Sequence, residues 1–129
     1  VERERDEHRQ LAVEDFIRDL LPVIDNFERA LEHASDDGGA FYQGVEMIAK
    51  QLHELLTRRG VSEIDPVGET FDPERHEAVQ RVEDSDHPPG TVVFVMLKGY
   101  EASERLIRPA LVGVAVEPQS GNGSDGGAP

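Results

Sequence analysis

Val13-Glu14-Asp15-Phe16-Ile17-Arg18-Asp19-Leu20-Leu21-Pro22-Val23-Ile24-Asp25-Asn26-Phe27-Glu28-Arg29-Ala30-Leu31 is the stretch that decides the fold. Its apolar residues Val13, Ile17, Leu20, Ile24, Phe27 and Leu31 are spaced 4-3-4-3-4, the a/d seam of a helix that packs on another helix. Glu14–Arg18 and Asp25–Arg29 stand at i,i+4 with the acid first, the better orientation for a helix pair. Residues 1–34 lack Gly and hold one Pro, so one helix is expected to cover them, roughly 50 Å long at 1.5 Å per residue. Nothing later in the chain is long enough to cover such a seam, so a second copy of the helix is its simplest partner. Pro22 inside a helix removes a hydrogen bond and costs about 3 kcal/mol. A kink or short break near Leu20–Leu21 is therefore expected, with the seam resuming at Ile24.

Outward from this helix, Ser35-Asp36-Asp37-Gly38-Gly39 is a loop signal whose Ser and Asp side chains can cap the next helix. Residues 40–59 repeat the pattern, with Phe41, Val45, Ile48, Leu52 and Leu55 spaced 4-3-4-3. Arg58 and Arg59 suit a helix C-terminus, and Gly60 suits the left-handed position beyond it. Two amphipathic helices joined by a short loop make an antiparallel hairpin, and two hairpins from two chains make a four-helix bundle.

After Gly60 the pattern changes to short β-rich runs bounded by Pro66, Pro73, Pro88, Pro89, Pro109 and Pro118. The runs are Val61–Ile64, Ala78–Glu83, Thr91–Leu97 and Ala110–Val116. The apolar series Val92 to Leu97 reads as a strand covered on both faces, and His87-Pro88-Pro89-Gly90 as a turn. The expected class is α+β: a long helix (1–34, broken near Pro22), a second bundle helix (35–60), a small all-β domain (61–117) and a disordered Ser/Gly/Asn-rich tail (118–129).

Composition narrows the function. Of the 129 residues, 27 are acidic and 13 basic, a formal net charge of −14. That balance argues against nucleic acid, whose affinity rests on Lys and Arg neutralising phosphates, and against an anionic membrane surface. No apolar run reaches the roughly 20 residues of a membrane helix. The absence of cysteine excludes disulfides and thiolate metal sites and fits a reducing, cytoplasmic setting. Hydrophobic residues make up 37%, a fraction that suggests stability gained by association. The chain opens on Val1 without a signal-peptide pattern and reads as a fragment with an upstream segment missing.

Chemistry-bearing motifs are absent: no phosphate loop, GxGxxG, HExxH or GxSxG is present. His8, His33 and His53 lie among charged residues on helices and read as solvated. His76 and Glu77 beside Asp72 and Glu74 could form a metal or acid/base cluster, but a turn at Asp72-Pro73 with His76 hydrogen-bonded at a strand start is the stronger reading. No enzyme activity, metal or cofactor is expected. Arg105 and Arg108 flank Leu106-Ile107 and are two of five basic residues between Val61 and Glu117. They are either exposed strand charges or protein-contact arginines of the kind enriched in hot spots, and composition leaves both open. The residues thus describe an acidic, dimeric protein that works by binding another protein.

Several ordered motifs resemble the GrpE family, the nucleotide exchange factors of DnaK-type chaperones. They are Leu20-Leu21-Pro22-Val23-Ile24-Asp25-Asn26, Glu28-Arg29-Ala30-Leu31 and Gly44-Val45-Glu46-Met47-Ile48 in the helices. Phe71-Asp72-Pro73, His76, Ala78-Val79, Gly99-Tyr100 and Arg105-Leu106-Ile107-Arg108-Pro109-Ala110-Leu111-Val112 follow in the β region. The resemblance covers roughly residues 10–116. It implies a homodimer whose β-domain binds the nucleotide-binding domain of DnaK, tilts a lobe outward and releases ADP. It implies partner contacts at Arg105, Met96, Val114, Phe71, Pro73, Arg29 and Glu32. It places Gly44 on a bundle helix, in a dimer interface with Ile17, Leu20, Ile24, Phe27 and Leu31, where a side chain would disturb close packing. Glu101-Ala102-Ser103-Glu104 departs from the family's Asn/Gly-type turn, and its acids are expected to retune the contact at Arg105. The rival reading is a coiled-coil scaffold for some other protein.

Overall fold

The computed structural model describes residues 2–34, 39–83, 86–103 and 105–118. The expected tail residues 119–129, the loop residues 35–38 and Glu104 lie outside the described residues. In chain order come α1 (Glu2–His33), α2 (Ala40–Arg58), β1 (Val61–Ile64), β2 (His76–Glu83), β3 (Val92–Leu97), β4 (Gly99–Ala102), β5 (Arg105–Arg108) and β6 (Ala110–Val116). The class is α+β. The strands form two three-stranded sheets, ordered β1-β4-β5 and β2-β6-β3.

The chain folds as two compact units, Val1–Ser62 with Ala102–Ile107 and Glu63–Glu101 with Arg108–Pro129. The division does not coincide with the change of composition at Gly60. Residues 102–107 go with the helices because side chains of α1 bond them: Arg18 Nε donates to the Ile107 carbonyl at 3.0 Å and Glu14 accepts from Arg105 at 3.1 Å.

In the helical unit, α1 runs unbroken through Pro22, so of the kink or short break expected there the break does not occur. Leu21 and Ile24, on either side of the proline, are fully buried. Each contributes about 1.5–3 kcal/mol of burial, enough together to offset the hydrogen bond that Pro22 removes. The buried row of α1 is Glu14, Ile17, Leu21 and Ile24, spaced 3-4-3. A second row, Val13, Phe16, Leu20 and Val23, has the same spacing one residue earlier; Val13, Phe16 and Val23 are exposed and Leu20 is half-buried. The expected 4-3-4 seam therefore straddles two rows. Arg18 pairs with Asp15 at 2.7 Å rather than with Glu14.

The N-cap of α2 is Gly39, with no side-chain cap hydrogen bond. Ala49 and Leu56 are its buried positions, whereas Phe41, Met47, Ile48 and Leu55 are exposed. Gly60 takes φ 84° just past the helix, the left-handed position expected of it.

In the second unit β6 is the central strand, parallel to β2 and antiparallel to β3. Its core is Ile64, Val92, Ala110 and Val112, with Phe71, Val95 and Val114 packed against it. Register slips between Ala78 and Gln80 and between Val92 and Phe94 break the alternation of side chains, the reason β2 does not alternate cleanly in the sequence. Gly113 leaves room for the Phe94 ring: a Cβ there would collide with the ring carbons.

Candidate functional site

The residues singled out in the sequence fall in both units. In the helical unit, Arg105 opens β5 directly after the turn at Ser103, whose φ is 50°. Asn or Gly is the usual occupant of that left-handed geometry. Arg105 is exposed, and its Nε donates to Glu14 Oε1 at 3.1 Å. The Glu14 side chain is 6% exposed against 54% for Arg105. Gln10 Nε2 donates to the other carboxylate oxygen at 3.5 Å. A buried carboxylate is costly unless paired and hydrogen-bonded, and these two donors supply that pairing. Arg105, Ser103, Glu7, Gln10 and Leu11 line one polar cleft.

Arg29 and Glu32 are both exposed on α1, and Arg29 Nη1 donates to Asn26 Oδ1 at 2.8 Å. His53, expected in solvent, instead meets Glu28 at 2.6 Å. Ile17 and Ile24 are buried within their own chain, while Leu20, Phe27 and Leu31 are half-buried. Gly44 is exposed, and a Cβ added there would meet nothing within 4 Å. Within one chain the position is therefore open. Val23, Phe27, Leu31, Phe41 and Val45 line an open apolar groove of about 710 Å³ between the end of α1 and the start of α2.

In the β unit, Met96 is 62% exposed on β3, and Val114 is half-buried against the core. Phe71 is held by its backbone N–H on the Gly90 carbonyl at 2.8 Å, and Pro73 is exposed beside it in sequence. His76 is buried with its ring tilted against Phe71, centroids 5.8 Å apart. The Asp72 N–H donates to His76 Nδ1 at 2.9 Å, so that nitrogen carries no proton. The partner for Nε2 is absent among the described residues. Burial is the largest influence on His76 and pushes it below the ordinary histidine value; Asp72 pulls the other way. This is the hydrogen-bonded histidine at a strand start that the sequence suggested.

Glu101, expected to retune the contact at Arg105, and Arg108, the other candidate contact arginine, each have partners of their own. Glu101 accepts from Arg75 Nη2 at 2.8 Å and from Arg75 Nε at 3.3 Å, which holds the Arg75 guanidinium above its ordinary value. Arg108 donates to the Lys98 carbonyl at 2.8 Å and lies 5.3 Å from the Tyr100 ring centroid. It is a packing arginine with a cation–π contact. The sequence did not reveal the Glu14–Arg105 pair, whose members are 91 residues apart. Its only trace is an acid on an otherwise apolar row.

Comparison with known proteins gives one consistent match. A family model described as GrpE matches residues 1–116. Protein GrpE of Aquifex aeolicus is 42% identical over 125 residues, covering 95% of this chain and 69% of that protein. Protein GrpE of Parageobacillus thermoglucosidasius is 44% identical over 115 residues, covering 88% and 51% respectively. For Protein GrpE of Vibrio cholerae the figures are 44% over 117 residues, 88% and 58%. The chain thus spans between about half and two-thirds of the length of these relatives.

Proposed function

We propose, on the premise that this chain belongs to the GrpE family, that it is a homodimeric nucleotide exchange factor for a DnaK-type chaperone. The family match over residues 1–116 carries the proposal. The factor binds the nucleotide-binding domain of the chaperone and stabilises the form with an open cleft. ADP leaves and ATP enters. The factor makes and breaks no bond. Its whole effect is a difference of affinity, because a ligand shifts an equilibrium only by as much as it prefers one state over the other.

Arg105, Met96, Phe71, Pro73, Val114, Arg29 and Glu32 are the proposed chaperone contacts. Exposure favours Arg105, Met96, Pro73, Arg29 and Glu32, which are open to a partner without rearrangement. Phe71 and Val114 pack against the core, so they act chiefly by shaping the surface that their neighbours present. The dimer is supported by the unpaired apolar row on α1 and the exposed Phe41, Ile48 and Leu55 of α2.

The test is release of a fluorescent ADP analogue from a DnaK-type chaperone. Adding the protein should speed release many-fold, and the complex should dissociate on addition of ATP. An unchanged release rate would remove the proposal. A complex that forms but leaves the nucleotide in place would point instead to a scaffold.

A further inference from the structure

We propose that Glu14 is a positioning residue for Arg105: from the buried row of α1 it fixes the guanidinium through Nε and leaves the two Nη nitrogens turned to a partner. The inference rests on the exchange-factor reading and assigns part of its contact surface to a residue that cannot itself reach the partner. Glu14 is 5% exposed, in a row otherwise filled by Ile17, Leu21 and Ile24. An aliphatic side chain would suit that row at least as well, since replacing a buried ion pair by apolar groups is often neutral or stabilising. A carboxylate kept there is therefore better explained by what it holds than by the stability it adds.

The geometry specifies what it holds. Arg105 sits on a four-residue strand behind a left-handed Ser103, and its side chain is long and rich in rotamers. Its Nε is engaged by Glu14 Oε1 at 3.1 Å. The second oxygen of Glu14 accepts from Gln10 at 3.5 Å, which fixes the carboxylate plane in turn. Among the described residues the Nη nitrogens of Arg105 make no hydrogen bond. The side chain remains 54% exposed and lines the polar cleft with Glu7, Gln10, Leu11 and Ser103. A guanidinium held by Nε presents its end, two parallel N–H donors, to a planar acceptor. The matching group on the partner is a carboxylate. Ordering Arg105 before the encounter removes an entropy cost that binding would otherwise carry.

The test uses the full chain with Glu14→Gln, Arg105→Ala and the double variant, each checked by circular dichroism for a retained fold at the assay temperature. The first readout needs no partner. The Arg105 Nε–H resonance, assigned by its loss in Arg105→Ala, should exchange slowly with solvent in the wild type and quickly in Glu14→Gln. The second is the concentration of protein giving half-maximal release of ADP analogue from the chaperone. Glu14→Gln should raise that concentration about tenfold with the maximal rate kept, and should add nothing once Arg105 is Ala. Glu14→Asp should fall between wild type and Gln in both readouts. A fast-exchanging Nε–H in the wild type, or a Glu14→Gln effect undiminished beside Arg105→Ala, overturns the positioning role while leaving the exchange function standing. Wild-type protein that does not speed release overturns the exchange function, and the positioning role with it.

Discussion

Phe16 is 66% exposed in the middle of α1, with Val13 at 50% and Val23 at 47% in the same row. A phenylalanine carries about 200 Å² of surface that burial can remove, so about 130 Å² of Phe16 is left in water within one chain. At about 25 cal/mol per Å² its burial against a second copy is worth about 3 kcal/mol. A two-fold dimer buries it twice, for about 6 kcal/mol, an upper figure because the separated helix already shields part of its own surface. Phe16→Ala keeps the Cβ and the helix propensity and removes most of this. The dimer dissociation constant should therefore rise at least about a hundredfold, a change of about 2.7 kcal/mol. Sedimentation equilibrium over a range of micromolar concentrations measures it. Met96→Ala serves as the control, since it removes an equally exposed apolar side chain from β3 and should leave the mass unchanged. A wild-type chain that sediments at one chain's mass, or a Phe16→Ala chain that dimerises as tightly as wild type, would show that this row is merely a solvated apolar stripe.

Gly44→Ala tests the same interface by its sign. In a lone chain the new methyl meets nothing within 4 Å and helix propensity should add up to about 1 kcal/mol to stability, whereas a second copy packed on Gly44 should make the variant melt lower and dimerise more weakly. His76 should make stability depend on pH. Its folded-state pKa lies below the ordinary 6.5, so its contribution is complete above about pH 6.5 and declines as the pH falls from there toward the lower folded value. Urea midpoints at pH 7.5 and pH 5 should differ more for the wild type than for His76→Asn, which keeps an acceptor for the Asp72 N–H but cannot titrate; equal differences would exonerate His76. Gly99→Ala should lower the melting temperature, because its Cβ would lie 2.5 Å from the Ala110 nitrogen and 2.8 Å from the Arg108 oxygen and Pro109 carbonyl carbon. These are backbone atoms that cannot rotate aside, and overpacking of this kind costs about 1–3 kcal/mol. An unchanged melt would mean that the β3–β4 corner yields freely.

Much of the fold is legible because its signals are local. Val61–Ile64 and Ala110–Val116 are strands over the residues that the apolar runs mark, and β2 and β3 differ from their runs by one or two residues at the start. β4 and β5 escape the same inspection. Each has four residues of mixed polarity, Gly-Tyr-Glu-Ala and Arg-Leu-Ile-Arg, and the turn between them uses Ser103 where a Gly or Asn would have announced a hairpin. The helix seam fails differently. Periodicity reports that α1 is amphipathic, but at about 100° per residue a three-residue step falls short of a full turn and a four-residue step overshoots it. A 4-3-4-3 series can then be drawn through either of two adjoining rows. Ile17 and Ile24 belong to the row buried by their own chain, and Leu20 to the other. Which row faces inward depends on residues distant in sequence, and no periodicity within α1 contains that information.

The two arginines of Arg-Leu-Ile-Arg show the same limit at the candidate site. Their sequence surroundings are alike, and composition leaves both as contact candidates. Arg108 lies by the Tyr100 ring and on the Lys98 carbonyl, two short-range neighbours in the chain, and that makes it part of the packing. Arg105 finds its carboxylate on α1, 91 residues away. Glu101, a nearby acid that would have been a natural partner on paper, is bound by Arg75 instead. An electrostatic inference from sequence neighbours thus misses the carboxylate that Arg105 meets in the fold. The correction matters for mechanism. An arginine drawn to adjacent exposed acids would bind a partner weakly and with strong dependence on salt, because those acids compete for it and exposed charges are screened. An arginine fastened at Nε by a buried carboxylate has most of its pairing shielded from salt, so mild salt should weaken its encounter with a partner while leaving its own geometry in place.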